Sequence, residues 1–207
     1  KAGFVPFHAW LPDAHSQSPS PVSALLSGVT IKVAVYAIAR MATVFFPGHG
    51  ALGTFAIVLG CVTMLVGILV AYQQTDLKRM LAYSSVSQMG YIIFGLGIGS
   101  FLGLYGAAYH LLNHALNKGM LFLCRGVLLY SFGTTDMRRL GTRKHSRWLA
   151  VCFFVGALGI AGMPPLNGFW SKFAIYVAAG EAHLWWPLGI ALFTGLLTLA
   201  VLVRAGA

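Results

Sequence analysis

The chain has 207 residues, 58% of them hydrophobic and 9% charged, with a mean hydropathy of +0.79 and a formal net charge of +10. That composition excludes an ordinary soluble domain and predicts an all-α, polytopic transmembrane helix bundle. The basic residues lie between or inside apolar spans, so membrane topology explains their excess better than nucleic-acid binding, and no phosphate-binding glycine loop is present.

Residues 1–11, KAGFVPFHAWL, read as the tail of a first span interrupted by Pro6. A Pro/Ser-rich connection follows over about residues 12–20, and Ser20 and Pro21 predict the N-cap and first turn of a second helix that runs to about Phe46. After the turn Pro47–Gly50, a third helix is expected over about Ala51–Gln73 and a fourth over about Met80–Gly99. The fifth, from about Leu102 to Ser131, has no proline and no strand-like alternation. Residues 133–147 form the longest loop. A sixth span over about Trp148–Ala179 is broken by Met-Pro-Pro-Leu-Asn-Gly168, and a seventh runs from near Leu184 to about Arg204. The fold class is therefore about seven spans with two broken helices. The chain starts without a methionine or a signal-peptide pattern and ends in an apolar run, so it is expected to be a piece of a longer protein.

Connections alternate sides. Segments 12–20, 74–79 and 132–147 hold seven Lys or Arg, whereas 47–50, 99–102 and 180–183 hold none. The positive-inside rule places the basic side in the cytoplasm of an inner-membrane protein.

The fifth helix carries the chemistry. His110, His114 and Lys118 are spaced i, i+4, i+8 and share one face. In lipid, a lysine at mid-span costs about 3 kcal/mol, and such residues face an interior or a water-filled path that serves ions or protons. Lys32 lies about ten residues into the second helix, with Tyr36 one turn on as a hydrogen-bond partner. Lys1 and Lys172 each sit beside a proline break. Snorkelling to the surface accounts for Arg40, Arg125 and Arg204, and remains an alternative for Lys1, but Lys32 and Lys118 are too deep for it. Desolvation disfavours an ammonium ion, so a buried lysine can exchange protons near neutral pH, with histidines between lysines as carriers. Asn113, Asn117, Ser84, Ser85, Ser87 and Gln88 would hold connecting waters or make helix-packing contacts.

Two other readings of HxxxH exist: two metal ligands on one helix, and a satisfied polar network without transport. Lys118 would repel a dication and no HExxH glutamate is present, so no metal is expected. Cys61, Cys124 and Cys152 stand apart in apolar runs without metal-site spacing and read as small apolar residues. No cofactor and no redox chemistry is expected of this chain. Its four acids, Asp13, Asp76, Asp136 and Glu181, avoid mid-span, which argues against a carboxylate-built sodium site.

Four segments carry a family resemblance: WLPDAHSQSPSPVSALLSGVTIKVAVYAIAR at 10–40, TDLKRMLAYSSVSQMGY at 75–91, YHLLNHALNKGMLFL at 109–123 and AGMPPLNGFWSKF at 161–173. They resemble the antiporter-like membrane subunits of respiratory complex I, multisubunit Na+/H+ antiporters and membrane-bound hydrogenases. The resemblance implies a single transmembrane domain drawn from an inverted-repeat transporter fold, with residues 1–46 ending the first repeat and 51–207 forming most of the second. It implies that Lys1 is the proton-channel lysine of the first broken helix, Lys32, His110, His114 and Lys118 the central relay, and Lys172 the terminal residue of the second half-channel, a glutamate in some branches. The glutamate that the family pairs with the first lysine lies on a helix outside this chain. The implied function is proton translocation within an NADH-quinone oxidoreductase-like, hydrogenase-like or Na+/H+ antiporter complex. Partner subunits carry any redox chemistry, and the substrate is H+ with Na+ as a second candidate. The rivals are a stand-alone secondary transporter for an organic substrate and a structural membrane subunit.

The two broken spans also resemble each other. With an offset of 159, Ala2, Gly3 and Pro6 coincide with Ala161, Gly162 and Pro165. Four complete helices between them predict opposite crossing directions, as in an inverted repeat.

Overall fold

The computed structural model describes residues 2–45, 50–134, 136–137 and 146–206, with the backbone alone for 42–45. Among these the fold is helical: α1 Trp10–Gln17, α2 Ser20–Leu25, a π-turn at Leu26–Thr30, α3 Ile31–Phe45, α4 Gly50–Gln73, α5 Leu77–Ile98, α6 Phe101–Phe132, α7 Arg147–Ala161, α8 Asn167–Glu181 and α9 Trp185–Gly206. Four helical stretches are long and apolar enough to cross a bilayer: Ser20–Met41, α4, α5 and α9. At 32 residues α6 exceeds the length that a span needs, and its polar residues lower its hydropathy.

Three expectations change. The stretch 12–20 is not all connection, because Trp10–Gln17 forms a helix and the chain breaks only at Ser18-Pro19. Pro12 is tolerated in the first turn of α1, where its missing N–H had no helical acceptor. Pro19, not Ser20, takes the N-cap position of α2. The expected continuous second helix is in fact α2, the π-turn and α3 in series. A π-turn adds one residue to the helical circuit and redirects carbonyls.

α5 is the central post, with 83% of its span buried. Its closest neighbour is α4. A Cβ on Gly90 would stand 2.7 Å from the Gly60 carbonyl oxygen and from Met64, so glycine is what lets these backbones meet. α5 starts at Leu77, three residues before its expected position, because Asp76 caps it by accepting from the N–H groups of Lys78 at 2.7 Å and Arg79 at 3.1 Å. Asp76→Ala should therefore cost about 1 kcal/mol and lower the melting temperature of the detergent-solubilised protein. An unchanged melting curve would deny the cap its role.

The basic-side segments meet. The backbones of Asp76 and Asp136 pair as an isolated antiparallel bridge, Met137 N–H donates to the Thr75 carbonyl at 3.1 Å, and Arg79 pairs with Asp13 at 3.2 Å. Lys78 reaches back to the Ser16 and Ser18 carbonyls. The ends at 13–18, 75–79 and 134–137 thus share one face of the bundle.

Both predicted breaks are present. Residues 2–9 are not helical, and the chain leaves helix again between α7 and α8 at residues 162–166. Gly3 and Gly162, related by the offset of 159, take positive φ of 76° and 90°, a region that only glycine enters freely. Val5-Pro6 and Pro164-Pro165 are both cis. α2–α3, α4, α5 and α6 stand between the two breaks in chain order, the arrangement from which opposite crossing directions are expected.

Candidate functional site

α5, α6 and α8 turn their polar residues toward one another and bury them. His110, His114, Lys118, Lys32 and Lys172 are all buried, while Lys1 lies outside the described residues. The i, i+4, i+8 face of α6 is thus turned inward, as its spacing predicts.

Lys118 donates from Nζ to the Leu81 carbonyl at 2.7 Å and to Ser84 Oγ at 2.5 Å. Lys32 donates to the Ser27 carbonyl, which belongs to the π-turn. Ser27 Oγ meets Ser85 Oγ at 3.2 Å, and Ser85 donates to the Leu81 carbonyl at 3.0 Å. The two lysines are therefore joined through Ser27, Ser85 and one carbonyl. They lie within electrostatic reach of each other, and two ammonium charges so placed repel. Tyr36 is not the partner expected for Lys32: it is 63% exposed and faces outward, because the π-turn supplies a closer carbonyl on the inner face.

His110 is held at both ring nitrogens, Nδ1 by Ser171 Oγ at 3.0 Å and Nε2 by Gln88 Oε1 at 3.1 Å. Gln88 Oε1 can only accept, so Nε2 carries a proton. Ser171 has two acceptors in reach, Nδ1 and the Gly168 carbonyl at 3.0 Å. When His110 is neutral, the serine hydroxyl donates to Nδ1. When His110 is charged, Nδ1–H donates to Ser171, which turns its own proton to Gly168. Both protonation states are satisfied without movement of the backbone.

His114 lies between these two groups, its ring 6.4 Å from that of His110, and neither of its nitrogens meets a partner among the described residues. Lys172 donates to the Ala161 carbonyl at 3.1 Å, a group exposed by the break after α7. Its ammonium also stands 4.6 Å from the centroid of the Tyr91 ring, whose hydroxyl donates to the Ala191 carbonyl at 2.6 Å. Tyr91 in turn faces His110, ring to ring, at 5.9 Å. Lys172, Tyr91 and His110 thus adjoin in turn, His114 lies one turn further along α6, and Lys118 and Lys32 form a linked pair in the same buried region.

The asparagines serve packing. Asn113 and Asn167 exchange amide hydrogen bonds, one from Asn113 Nδ2 to the Asn167 carbonyl at 3.0 Å and one from Asn167 Nδ2 to Asn113 Oδ1 at 3.0 Å. Asn117 donates to Asn167 Oδ1 at 3.3 Å, so α6 pins the first turn of α8. Ser87 donates to the Met64 carbonyl and joins α5 to α4.

Ser27, Tyr91, Ser171 and His15 were not singled out by the sequence. Tyr91 continues the Ser84–Gln88 face of α5 at helical spacing, and Ser171 adjoins Lys172, so both left a signal. His15 left none that separates it from a loop residue. It is fully buried, stacked on Phe122 at 4.6 Å, and the cations within its electrostatic reach are Lys118, Lys78 and Lys32. Arg125 corrects another expectation: at 7% exposure it does not snorkel, since the α1–α2 junction covers it and Ser20 Oγ accepts from Nη1 at 2.9 Å. Arg204 does lie at the surface, bonded to the Tyr72 carbonyl at 2.8 Å.

Fold and site together define a polytopic helical membrane protein whose interrupted spans surround a buried line of cationic groups. The chain belongs to the family described as NADH:quinone oxidoreductase/Mrp antiporter, TM, whose profile matches residues 1–198. It is 40% identical over 206 residues to a Na(+)/H(+) antiporter subunit of Alkalihalophilus pseudofirmus, covering 99% of this chain and 42% of that protein. It is 38% identical over 187 residues to hydrogenase-4 component B of Escherichia coli, covering 83% of this chain and 28% of that one. Among solved structures it matches a chain of the Mrp complex from Dietzia sp. DQ12-45-1b with a TM-score of 0.94 and 33% identity, over 99% of this chain and 39% of that chain. The chain thus spans less than half the length of these relatives.

Proposed function

We propose that this chain is part of a proton-translocating subunit that works inside a larger membrane complex, driven by redox chemistry in partner subunits or by a sodium gradient. The observation that carries the reading is the buried set Lys172, Tyr91, His110, His114, Lys118 and Lys32, most of whose polar atoms already hold proton donors or acceptors. Lys32, His110, His114 and Lys118 act as the central relay, Lys172 as the outlet of one half-channel, and Lys1 as the lysine of the other. H+ is the substrate and Na+ the second candidate, with other membrane subunits as partners. Residues 1–46 close a first repeat and 51–207 supply most of a second, and His15 extends the relay from Lys118 toward the basic face. An organic substrate is less well supported: the cavity of about 380 Å³ beside Lys172 has an apolar lining without convergent polar groups.

The test is proton movement in everted vesicles that carry the whole parent complex. Lys32→Ala should leave the complex assembled and lower transport by at least roughly tenfold. An unchanged rate would discard the relay.

We place the protein in the inner membrane with the basic face in the cytoplasm. A single cysteine at Thr134 should react with an impermeant maleimide only from the cytoplasmic side, and one at Ala182 only from the opposite side. Reversed labelling would invert the direction of every step.

A further inference from the structure

The basic end of the bundle holds a second polar feature that the lysine–histidine line does not use. A cleft of about 800 Å³ lies between the α1–α2 junction and the last third of α6. Arg125 and Lys78 line it, and both are buried. Arg125 Nη1 donates to Ser20, but its Nε is buried and meets no partner among the described residues. Lys78 donates to the carbonyls of Ser16 and Ser18, so neither cation is paired by a carboxylate through these bonds. Two acids are near. Asp76 acts on both cations through space while capping α5, and Asp13 pairs with Arg79.

The outer wall of the cleft is apolar. Leu123, Val127 and Tyr130 follow one another along α6 and are 51%, 50% and 94% exposed. Arg125 lies seven residues before the end of α6, roughly 10 Å along the helix axis. That depth is where headgroups give way to acyl chains. A buried guanidinium N–H left without an acceptor is costly, and a phosphate oxygen is a strong acceptor for it.

We propose that this cleft is a binding site for an anionic phospholipid. Its phosphate accepts from Arg125 and Lys78, and an acyl chain lies along Leu123, Val127 and Tyr130. Charge selects the lipid, because a zwitterionic headgroup would bring its own cation against two buried ones. The site is independent of proton transport: it uses none of the relay residues.

The test uses the intact parent complex, purified and delipidated, then titrated with phosphatidylglycerol or phosphatidylcholine and read by native mass spectrometry. Phosphatidylglycerol should be retained on this subunit roughly tenfold more tightly than phosphatidylcholine. Arg125→Gln should bring retention down to the phosphatidylcholine level, Arg125→Lys should restore it in part, and Arg204→Gln should leave it unchanged. A diazirine-bearing phosphatidylglycerol should label the peptide that contains Val127 in the unmutated complex, a readout that needs no variant to fold. Equal retention of the two lipids would overturn the proposal. So would displacement of the lipid by inorganic phosphate alone, which would indicate a free-anion site. Failure to label near Val127, with that surface instead crosslinked to a neighbouring subunit, would replace the lipid by a protein contact.

Discussion

Lys118→Ala should leave the parent complex assembled and reduce its proton transport by roughly a hundredfold or more. Assembly survives because the energies oppose one another. Truncating a buried side chain of this size costs about 2–4 kcal/mol in lost packing. Removing a mid-span ammonium recovers about 3 kcal/mol. The Leu81 carbonyl stays satisfied by the hydroxyls of Ser84 and Ser85, each at 3.0 Å. Transport fails because, among the described residues, Lys118 is the only ammonium that bonds to that carbonyl, through which the links to Ser85, Ser27 and Lys32 run. Lys118→Arg should fail as well, since guanidinium keeps its proton in proteins. His114→Ala should lose only severalfold, because a water can bridge the gap left by one imidazole that has no partner among the described residues. Normal proton movement by Lys118→Ala in reconstituted vesicles would remove the relay reading.

The second large effect is expected at Lys172, where structure and proton exchange can be separated. Lys172 supplies the hydrogen bond that satisfies the Ala161 carbonyl at the α7 break and stacks its charge over Tyr91. Lys172→Gln keeps an N–H donor for that carbonyl but cannot titrate. It should assemble, with a loss of about 1–2 kcal/mol from the missing cation–π contact, and its transport should fall by at least roughly tenfold. Lys172→Glu retains a titratable group. When protonated it donates to Ala161, and when ionised it faces that carbonyl unfavourably, so its transport should fall between those of the glutamine variant and the parent. Proton flux measured with a pH-sensitive dye ranks the three. Equal rates in all three would assign Lys172 a structural role alone.

The rank order of these variants rests on features that the sequence shows unequally. The spacing of His110, His114 and Lys118 was legible because a helix has one period and a bilayer penalises charge, so three ionisable residues on one face must turn inward. The breaks at Pro6 and Pro164-Pro165 were legible because proline removes a donor wherever it stands. Partners were not. The expected Lys32–Tyr36 contact followed from a regular helix, and the π-turn rotated the inner face so that the Ser27 carbonyl took the ammonium instead. Asn113 and Asn117, equally fit for water or for packing, were claimed by Asn167 because α8 docks there.

From the sequence alone came the fold class, the two interruptions, the alternation of basic and neutral loops, and five described cationic or imidazole residues of the buried line, which lies where four separate segments resemble one family. These depend on local rules, namely period, hydropathy and proline chemistry, that act without knowledge of distant chain. Only the tertiary structure decided that Tyr91 and Ser171 connect Lys172 to His110, that His15 stacks on Phe122 of α6, and that Arg125 is largely buried against the α1–α2 junction rather than extended to the surface. Each of these joins residues from different helices. Which side chain meets which across such a gap depends on the rotation and depth at which whole helices pack, and close-packed glycine contacts such as Gly60 with Gly90 set those quantities for the bundle as a unit.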